Sequence, residues 1–161
     1  ARFRCARLGP EHIDQIMRVE LSSFSCPWSR ESYAYELSEN QLAHYYGCFA
    51  EGELVAFAGF WQVADEGHVT NMAVLPAWRR QRLGQLLLRQ LIAACLSLGG
   101  RWMTLEVRES NNAAIALYEK LGFEPYGLRP GYYDAPSEGA VIMWLRLDNK
   151  VEPPANTNRK G

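Results

Sequence analysis

The sequence lacks the residue groupings that hold most structural metals and disulfides. Its four cysteines, at positions 5, 26, 48 and 95, lie far apart and include no C-x-x-C pair, and its three histidines are scattered. Metal sites and disulfide frameworks use such residues at short, characteristic spacings. We therefore expect no metal cofactor, and we interpret the four thiols as isolated structural residues of a protein in the reducing cytoplasm.

Long apolar runs and an excess of charge of either sign are missing as well. The chain begins ARFRCARLGP, without the pattern of a secretory leader, and no stretch resembles the roughly 18 apolar residues of a membrane span. Lys and Arg total 17 against 18 Asp and Glu, a net charge of -1. We therefore expect no membrane association and no nucleic-acid partner. The length of 161 residues and the 48% hydrophobic content are typical of one globular domain.

Hydrophobic periodicity predicts an α/β protein of alternating strands and helices. The predicted elements are a strand over 2–8, a helix opened by Pro10, a second helix capped by Ser29, three strands within 43–76, a helix from Leu83 to Gly99, a strand over 101–107, a helix over 111–122, and strands over 123–133 and 139–147. The three central strands turn at Glu51-Gly52 and at residues 65–67. We expect one domain over 1–147 and a flexible tail over 148–161, where apolar residues are nearly absent.

The long central helix is predicted to bury one apolar stripe. The expected stripe consists of Leu83, Leu86, Leu87, Leu91, Cys95 and Leu96. A strand on each side of this helix predicts a βαβ unit with parallel strands and a right-handed crossover.

The segment VLPAWRRQRLGQLLL, residues 74–88, places three arginines between a strand and this helix. The first turn of a helix exposes amide groups and carries partial positive charge. A guanidinium group can donate two parallel hydrogen bonds to two oxygens of one phosphate. An anion site is therefore one interpretation, and a solvated basic turn is the other. The patterns of a P-loop and of a dinucleotide-binding loop are both absent, since Gly84 is the only glycine here.

The succession VLPAWRRQRLG, LEVRESNNAAIALYEKLGF, GLRPGYY and IMWL resembles the GNAT superfamily of acyl-CoA-dependent N-acetyltransferases over residues 3–147. Within it, the chain most resembles the bacterial RimI-type ribosomal-protein alanine N-acetyltransferases, which also have a loop like FSCPWS near the start. The resemblance implies a mixed, mostly antiparallel sheet of about seven strands flanked by about four helices. It also implies acetyl-CoA as co-substrate and no metal.

The resemblance assigns the acetyl-CoA site residue by residue. The pyrophosphate would lie on Arg79, Arg80, Gln81, Arg82, Leu83 and Gly84; the pantetheine arm would pair with Met72, Ala73 and Val74; and Asn111 would contact the co-substrate. Asn111 alone also fits the N-cap of its helix. Arg82 departs from the family, which has glycine there. We expect the site to survive, with Arg82 either in ordinary helical geometry or clamping the phosphates.

The same resemblance assigns the chemistry to two residues, Glu106 as general base acting through water and Tyr118 as the acid that protonates the CoA thiolate. From the residues alone, Glu106 equally fits an ion pair with Arg108 or another arginine, because glutamate is seldom buried without a partner. Tyr118 alone fits a core tyrosine with a satisfied hydroxyl.

The family binds its acceptor peptide between the first interhelical loop and the last hairpin. Those positions correspond to Pro27 and Trp28, and to Tyr132 and Tyr133, although the two tyrosines alone fit strand-end aromatics. Glu20 and Glu36 are further candidates, as partners of a basic peptide. The implied acceptor is the N-terminal alanine of ribosomal protein S18, and we expect a monomer or weak dimer. This chain also begins Ala1-Arg2, which raises the hypothesis of self-acetylation at Ala1.

Three other functions fit parts of the sequence. An acetyltransferase of a small amine would share the fold and the co-substrate. A non-catalytic acyl-CoA-binding module would need neither Glu106 nor Tyr118. A nucleic-acid-binding domain would use the three arginines, but the net charge of -1 disfavours it.

Overall fold

The computed structural model describes residues 3–134 and 136–148. Its elements in chain order are β1 (Arg4–Arg7), α1 (Ile13–Ser23), α2 (Arg30–Ser38), β2 (Ala43–Ala50), β3 (Glu53–Val63), β4 (Glu66–Val74), α3 (Leu83–Ser97), β5 (Trp102–Arg108), α4 (Asn112–Lys120), β6 (Glu124–Asp134) and β7 (Ser137–Arg146). Short 3-10 turns at Pro10–His12 and Pro76–Trp78 precede α1 and α3. Nearly all of the predicted tail and the hypothetical acceptor Ala1 lie outside the described residues.

The seven strands form one mixed sheet in the order β1-β2-β3-β4-β5-β7-β6. β4 and β5 are parallel, with Glu66 opposite Trp102 and His68 opposite Thr104, as the helix between them predicts. The pairs β1–β2, β2–β3, β5–β7 and β6–β7 are antiparallel. This confirms the predicted mixed, mostly antiparallel sheet with four α-helices.

The chain forms two compact units. The N-terminal unit contains the described residues up to Gln62 together with Val69–Leu91, and the C-terminal unit contains Val63–His68 together with the described residues from Ile92 onward. The single domain predicted over 1–147 stays a prediction.

Local signals placed most element boundaries within two residues. Ser29 caps α2 by accepting a hydrogen bond from the Ser32 amide at 3.1 Å. Gly99 ends α3 in the left-handed region, with φ of 88°. The second sheet turn begins one residue earlier than predicted, because Ala64 takes a positive φ and Glu66 already belongs to β4.

The buried stripe of α3 differs from the prediction at two positions. Leu83, Leu87, Leu91 and Cys95 are buried as expected, but Leu86 is 39% exposed and Leu96 is only half-buried, while Leu88 is fully buried. Leu86 and Leu88 lie about 100° to either side of Leu87, so the buried face extends toward Leu88 and not toward Leu86. A run of three consecutive leucines fits either face equally well.

Two of the cysteines are not isolated. Cys5 and Cys48 lie opposite each other on β1 and β2, and their sulfur atoms are 3.4 Å apart. None of the four cysteines, all of which the structure describes, forms a disulfide. Burial is the main cause that raises the pKa of the Cys48 thiol, and it raises that of Cys95 to about 11. Both therefore remain protonated at neutral pH, which agrees with a structural role.

Candidate active site

In the N-terminal unit, the arginine loop connects the end of β4 to the start of α3. Arg79, Arg80, Gln81 and Arg82 are exposed. The Nε atom of Arg79 donates a hydrogen bond to the Val74 carbonyl at 3.1 Å, which folds this side chain back onto the last residue of β4. The loop therefore lies directly against the strand end that is predicted to pair with the pantetheine arm.

The backbone of this loop is unusual at two arginines. Arg80 and Arg82 both have φ of 65°, in the left-handed region that side chains other than glycine rarely adopt. The expectation of helical angles at Arg82 is therefore wrong. Glycine adopts this backbone conformation without steric cost, so the glycine that the family has at this position would suit it.

The start of α3 offers a set of amide donors beside these side chains. Leu86 donates to the Arg82 carbonyl at 3.1 Å, so the amides of Leu83 and Gly84 precede the first hydrogen bond of the helix. Exposed guanidinium groups and a helix N-terminus form a donor set that fits a pyrophosphate.

The loop between α1 and α2 is anchored by Glu20, a residue of α1 that is only 1% exposed. One carboxylate oxygen accepts from the Trp28 amide at 2.9 Å and the other accepts from the Tyr33 hydroxyl at 2.7 Å. The rings of Trp28 and Tyr33 also pack with centroids 5.3 Å apart. Trp28 itself is half-buried and Pro27 is exposed beside it. Glu20 thus holds the predicted acceptor loop in place.

A second buried carboxylate, Glu36, lies 5% exposed on α2. It accepts hydrogen bonds from Tyr45, Trp61 and Asn40 at 3.0, 2.7 and 2.8 Å. Neither Glu20 nor Glu36 is a surface group, so their expected role as partners of a basic peptide is not supported. Both carboxylates have their oxygens occupied by internal donors.

In the C-terminal unit, Glu106 lies on the half-buried face of β5. Met103, Leu105 and Val107 fill the core on the opposite face, as the alternation predicts. Within the part of the chain that the structure describes, Glu106 forms no ion pair, and Arg108 pairs with Glu138 at 3.1 Å. The ion-pair interpretation of Glu106 is therefore not supported.

Tyr118 lies half-buried on α4, with its ring 5.8 Å from that of Phe123. Burial raises the pKa of its hydroxyl to about 12, so the group stays protonated at neutral pH. Asn111 caps the same helix, since its side-chain oxygen accepts from the Ala114 amide at 3.1 Å. The N-cap interpretation of Asn111 is confirmed.

Tyr132 and Tyr133 follow a bulge in β6. The strand register shifts between Arg129 and Tyr133, and Gly131 has φ of 64°. A bulge redirects the side chains that follow it. The two tyrosine rings meet edge to face at 5.0 Å, with Tyr132 exposed and Tyr133 half-buried.

The hydroxyl of Tyr133 interacts electrostatically with the carboxylate of Glu106. The pKa of its hydroxyl is raised to about 12, mainly by burial and also by the nearby Tyr132 and Glu106. Arg108 lies over its ring at 4.3 Å. Glu138 was missed by sequence reasoning, because only the hairpin register brings it to Arg108.

The described part of the chain, residues 3–134 and 136–148, contains no cluster of three His, Cys, Asp or Glu residues that could hold a metal ion. It also contains no helix that is long and apolar enough to cross a membrane.

Comparison with known proteins identifies relatives over most of the chain. The family model of the GNAT acetyltransferases matches residues 13–123. The ribosomal protein bS18-alanine N-acetyltransferase of Escherichia coli (strain K12) is 40% identical over 131 residues, which cover 80% of this chain and 87% of the relative. A Bacillus subtilis protein provisionally named for the same activity is 41% identical over 138 residues, covering 86% of this chain and 91% of the relative.

The similarity extends to a solved structure. The crystal structure of the ribosomal-protein-S18-alanine N-acetyltransferase from Escherichia coli aligns with a TM-score of 0.83 at 35% identity, covering 90% of this chain and 94% of that chain. The chain therefore belongs to the GNAT family and is an acetyl-CoA-dependent acetyltransferase.

Proposed function

We propose that this protein transfers the acetyl group of acetyl-CoA to the N-terminal α-amine of a protein, and that its acceptor is the N-terminal alanine of ribosomal protein S18. The main support is the 40% identity across 87% of an enzyme named for that activity. A protonated tyrosine hydroxyl, Tyr118, and a carboxylate with no ion-pair partner among residues 3–134 and 136–148, Glu106, also support a catalyst over a binding module.

The proposed reaction is a direct attack without an acyl-enzyme. The neutral amine attacks the thioester carbonyl carbon, the carbon–sulfur bond breaks, and the amine loses a proton to Glu106 through a water molecule. An α-amine has a pKa of about 8, so a substantial fraction is neutral near pH 7, whereas a lysine amine at about 10.4 is almost fully charged. A single carboxylate acting as base therefore suits an N-terminal acceptor.

Tyr118 is proposed as the acid that protonates the departing thiolate. Its pKa of about 12 lies above the value of about 8.5 for an ordinary thiol. Complete transfer of its proton to the sulfur is therefore uphill. Its contribution is greatest as a hydrogen bond that strengthens while negative charge develops on sulfur.

The co-substrate is proposed to lie on the loop residues Arg79–Gly84 and along Met72–Val74. Pro27, Trp28, Tyr132 and Tyr133 are proposed to contact the acceptor peptide. Arg79 supports the first assignment, because it already contacts the last residue of β4. Both sets remain proposals for this chain.

The test measures CoA release with three acceptors: an Ala-Arg-Tyr-Phe peptide, the same peptide with a blocked amine, and spermidine. We expect turnover with the free peptide alone. Glu106→Gln and Tyr118→Phe should each lower kcat by about a hundredfold or more, as loss of general acid–base catalysis does, with little change in acetyl-CoA affinity. Turnover with spermidine would support the small-amine alternative, and tight binding without any turnover would support the binding module.

A further inference from the structure

A hydrogen-bonded clasp in the C-terminal unit joins the last hairpin to the segment between β5 and α4. The Glu138 carboxylate on β7 accepts from the Arg108 guanidinium at 3.1 Å through one oxygen and from the Ser110 amide at 2.7 Å through the other. Arg108 also donates to the Pro136 carbonyl at 2.8 Å, and the Glu109 amide donates to the Gly139 carbonyl at 3.1 Å. The segment held in this way connects the strand of Glu106 to the helix of Tyr118.

The clasp determines where the charge of Arg108 is placed. Residues 106 and 108 lie on the same face of β5, about 7 Å apart along the strand, which is within reach of an arginine side chain. Yet the Arg108 guanidinium lies over the Tyr133 ring at 4.3 Å and pairs with Glu138, and Glu106 has no ion-pair partner among the described residues.

The Arg108–Glu138 pair is better sheltered than the ion pairs on the open surface. Its side chains are 30% and 16% exposed, against 42% and 54% for the pair of Arg18 and Glu53. Hydrogen bonds from Ser110, together with the charge of Arg108, hold the pKa of the Glu138 carboxyl below its usual range. The clasp therefore stays charged at neutral pH and is lost only in acid.

We propose that Glu138 is a positioning residue that holds the Arg108 guanidinium against Tyr133 and away from Glu106. This inference rests on the proposed function, in which Glu106 is the base. An arginine paired with that carboxylate would stabilise its charged form and make it a weaker base. Glu138 thus keeps the base available and at the same time fixes the hairpin that carries the two tyrosines.

Glu138→Gln tests this role, because glutamine still offers an oxygen to the Ser110 amide but no charge to Arg108. We expect kcat with the Ala-Arg-Tyr-Phe peptide to fall by about tenfold to a hundredfold, the range that follows from misplaced active-site groups. The KM for acetyl-CoA should change by less than about twofold. Unchanged kcat in a folded Glu138→Gln protein would overturn the proposal.

The decisive arm is a double-substitution cycle with Arg108→Gln. If Glu138 acts by restraining Arg108, the double variant should recover kcat to the level of Arg108→Gln alone, since no guanidinium remains to pair with Glu106. A double variant whose loss equals the product of the two single losses would show that Glu138 does not act through Arg108.

Hydrogen exchange supplies a readout that does not depend on activity. In Glu138→Gln, exchange at the amides of Glu109 and Ser110 should accelerate, because the charged bond to Arg108 is lost and the oxygen left to the Ser110 amide is neutral. Glu53→Gln, which removes the exposed pair with Arg18, should leave both these amides and kcat unchanged. Unaltered exchange at 109–110 would refute the clasp. If Glu138→Gln does not fold, Glu138→Asp replaces it, because its shorter side chain cannot reach both partners and the same recovery by Arg108→Gln is expected.

The activity of the wild-type protein distinguishes failure of the proposed function from failure of the proposed role of Glu138. A wild type that does not acetylate the peptide refutes the proposed function and the role of Glu138 with it. An active wild type with an equally active Glu138→Gln refutes only the role of Glu138.

Discussion

At the scale of single residues, Arg82 is the clearest case of a residue type that does not suit its backbone conformation. A left-handed conformation costs a residue with a Cβ about 1 kcal/mol or more, and Arg82 has φ of 65°. We predict that Arg82→Gly raises the free energy of unfolding by up to about 1 kcal/mol, because glycine adopts this conformation without that cost. Urea unfolding followed by circular dichroism measures the change.

Arg82→Ala is the matched control for that substitution. It removes the guanidinium and keeps the backbone strain, so it should leave the stability nearly unchanged. We expect CoA to bind Arg82→Gly within about tenfold of the wild type, because Arg79, Gly84 and the amides of α3 remain. Binding that is more than tenfold tighter would show that the arginine handicaps the phosphate site.

Sequence reasoning at this scale succeeded for residues with a local signature and failed for residues defined by distant partners. Ser29 and Asn111 were identified as caps because a cap bonds within three residues. Glu20 and Glu36 were candidates as partners of a basic peptide, but tyrosine hydroxyls from other elements donate to both carboxylates inside the protein. No local sequence pattern distinguishes a solvated glutamate from a buried glutamate that accepts hydrogen bonds from other side chains.

At the scale of elements, α4 depends on a single side-chain cap. The Asn111 side chain accepts from the Ala114 amide. We predict that Asn111→Ala lowers the free energy of unfolding by about 1 kcal/mol, whereas Asn111→Ser, an equally good cap, stays within a few tenths. Denaturant unfolding of the three proteins under identical conditions measures both values.

The same pair of variants separates the structural role of Asn111 from the co-substrate contact that the family resemblance implies. Serine at position 111 can cap the helix as asparagine does, but it lacks the side-chain amide that would contact acetyl-CoA. We therefore expect the KM for acetyl-CoA to rise in both variants. A KM that returns to the wild-type value in Asn111→Ser would assign the whole effect of the alanine variant to the cap.

Periodicity located the elements well but could not choose between adjacent faces of a uniformly apolar helix. In β5, strand alternation places Met103, Leu105 and Val107 on one face, and all three are buried; the residues between them, Thr104 and Glu106, are polar. In α3, three consecutive leucines carry no such contrast, and the packing of the whole unit selected Leu88 over Leu86.

At the scale of the whole molecule, the strand order could not have been derived from periodicity. The parallel pair β4–β5 follows from the helix between them, but the insertion of β7 between β5 and β6 has no local signal. The family resemblance implied a mixed sheet of about seven strands but not their order. The clasp at Glu138 depends on that same insertion, since β7 must lie beside β5 for the carboxylate to meet Arg108.

Four buried or half-buried tyrosines limit the stability of the protein at alkaline pH. Tyr33 and Tyr45 in the N-terminal unit, and Tyr118 and Tyr133 in the C-terminal unit, all have pKa values raised chiefly by burial, the last two to about 12. The unfolded chain ionises its tyrosines near pH 10. Because the folded values are the higher ones, their stabilisation is complete below pH 10 and is lost as the pH rises from about 10 to about 12.

We therefore predict that the protein unfolds in alkali between about pH 10 and pH 12, with each of these four hydroxyls adding up to about 1.4 kcal/mol of lost stability per pH unit. Phenolate absorbance and circular dichroism, recorded on the same samples, should show that the ionisation of these four tyrosines accompanies the loss of ellipticity over this range. The urea-denatured chain is the reference and should titrate near pH 10 without a structural transition. If all eight tyrosines of the native protein ionised near pH 10 with the ellipticity retained, the four hydroxyls would not be protected by burial, and the assignment of Tyr118 as a permanently protonated donor would fail with them.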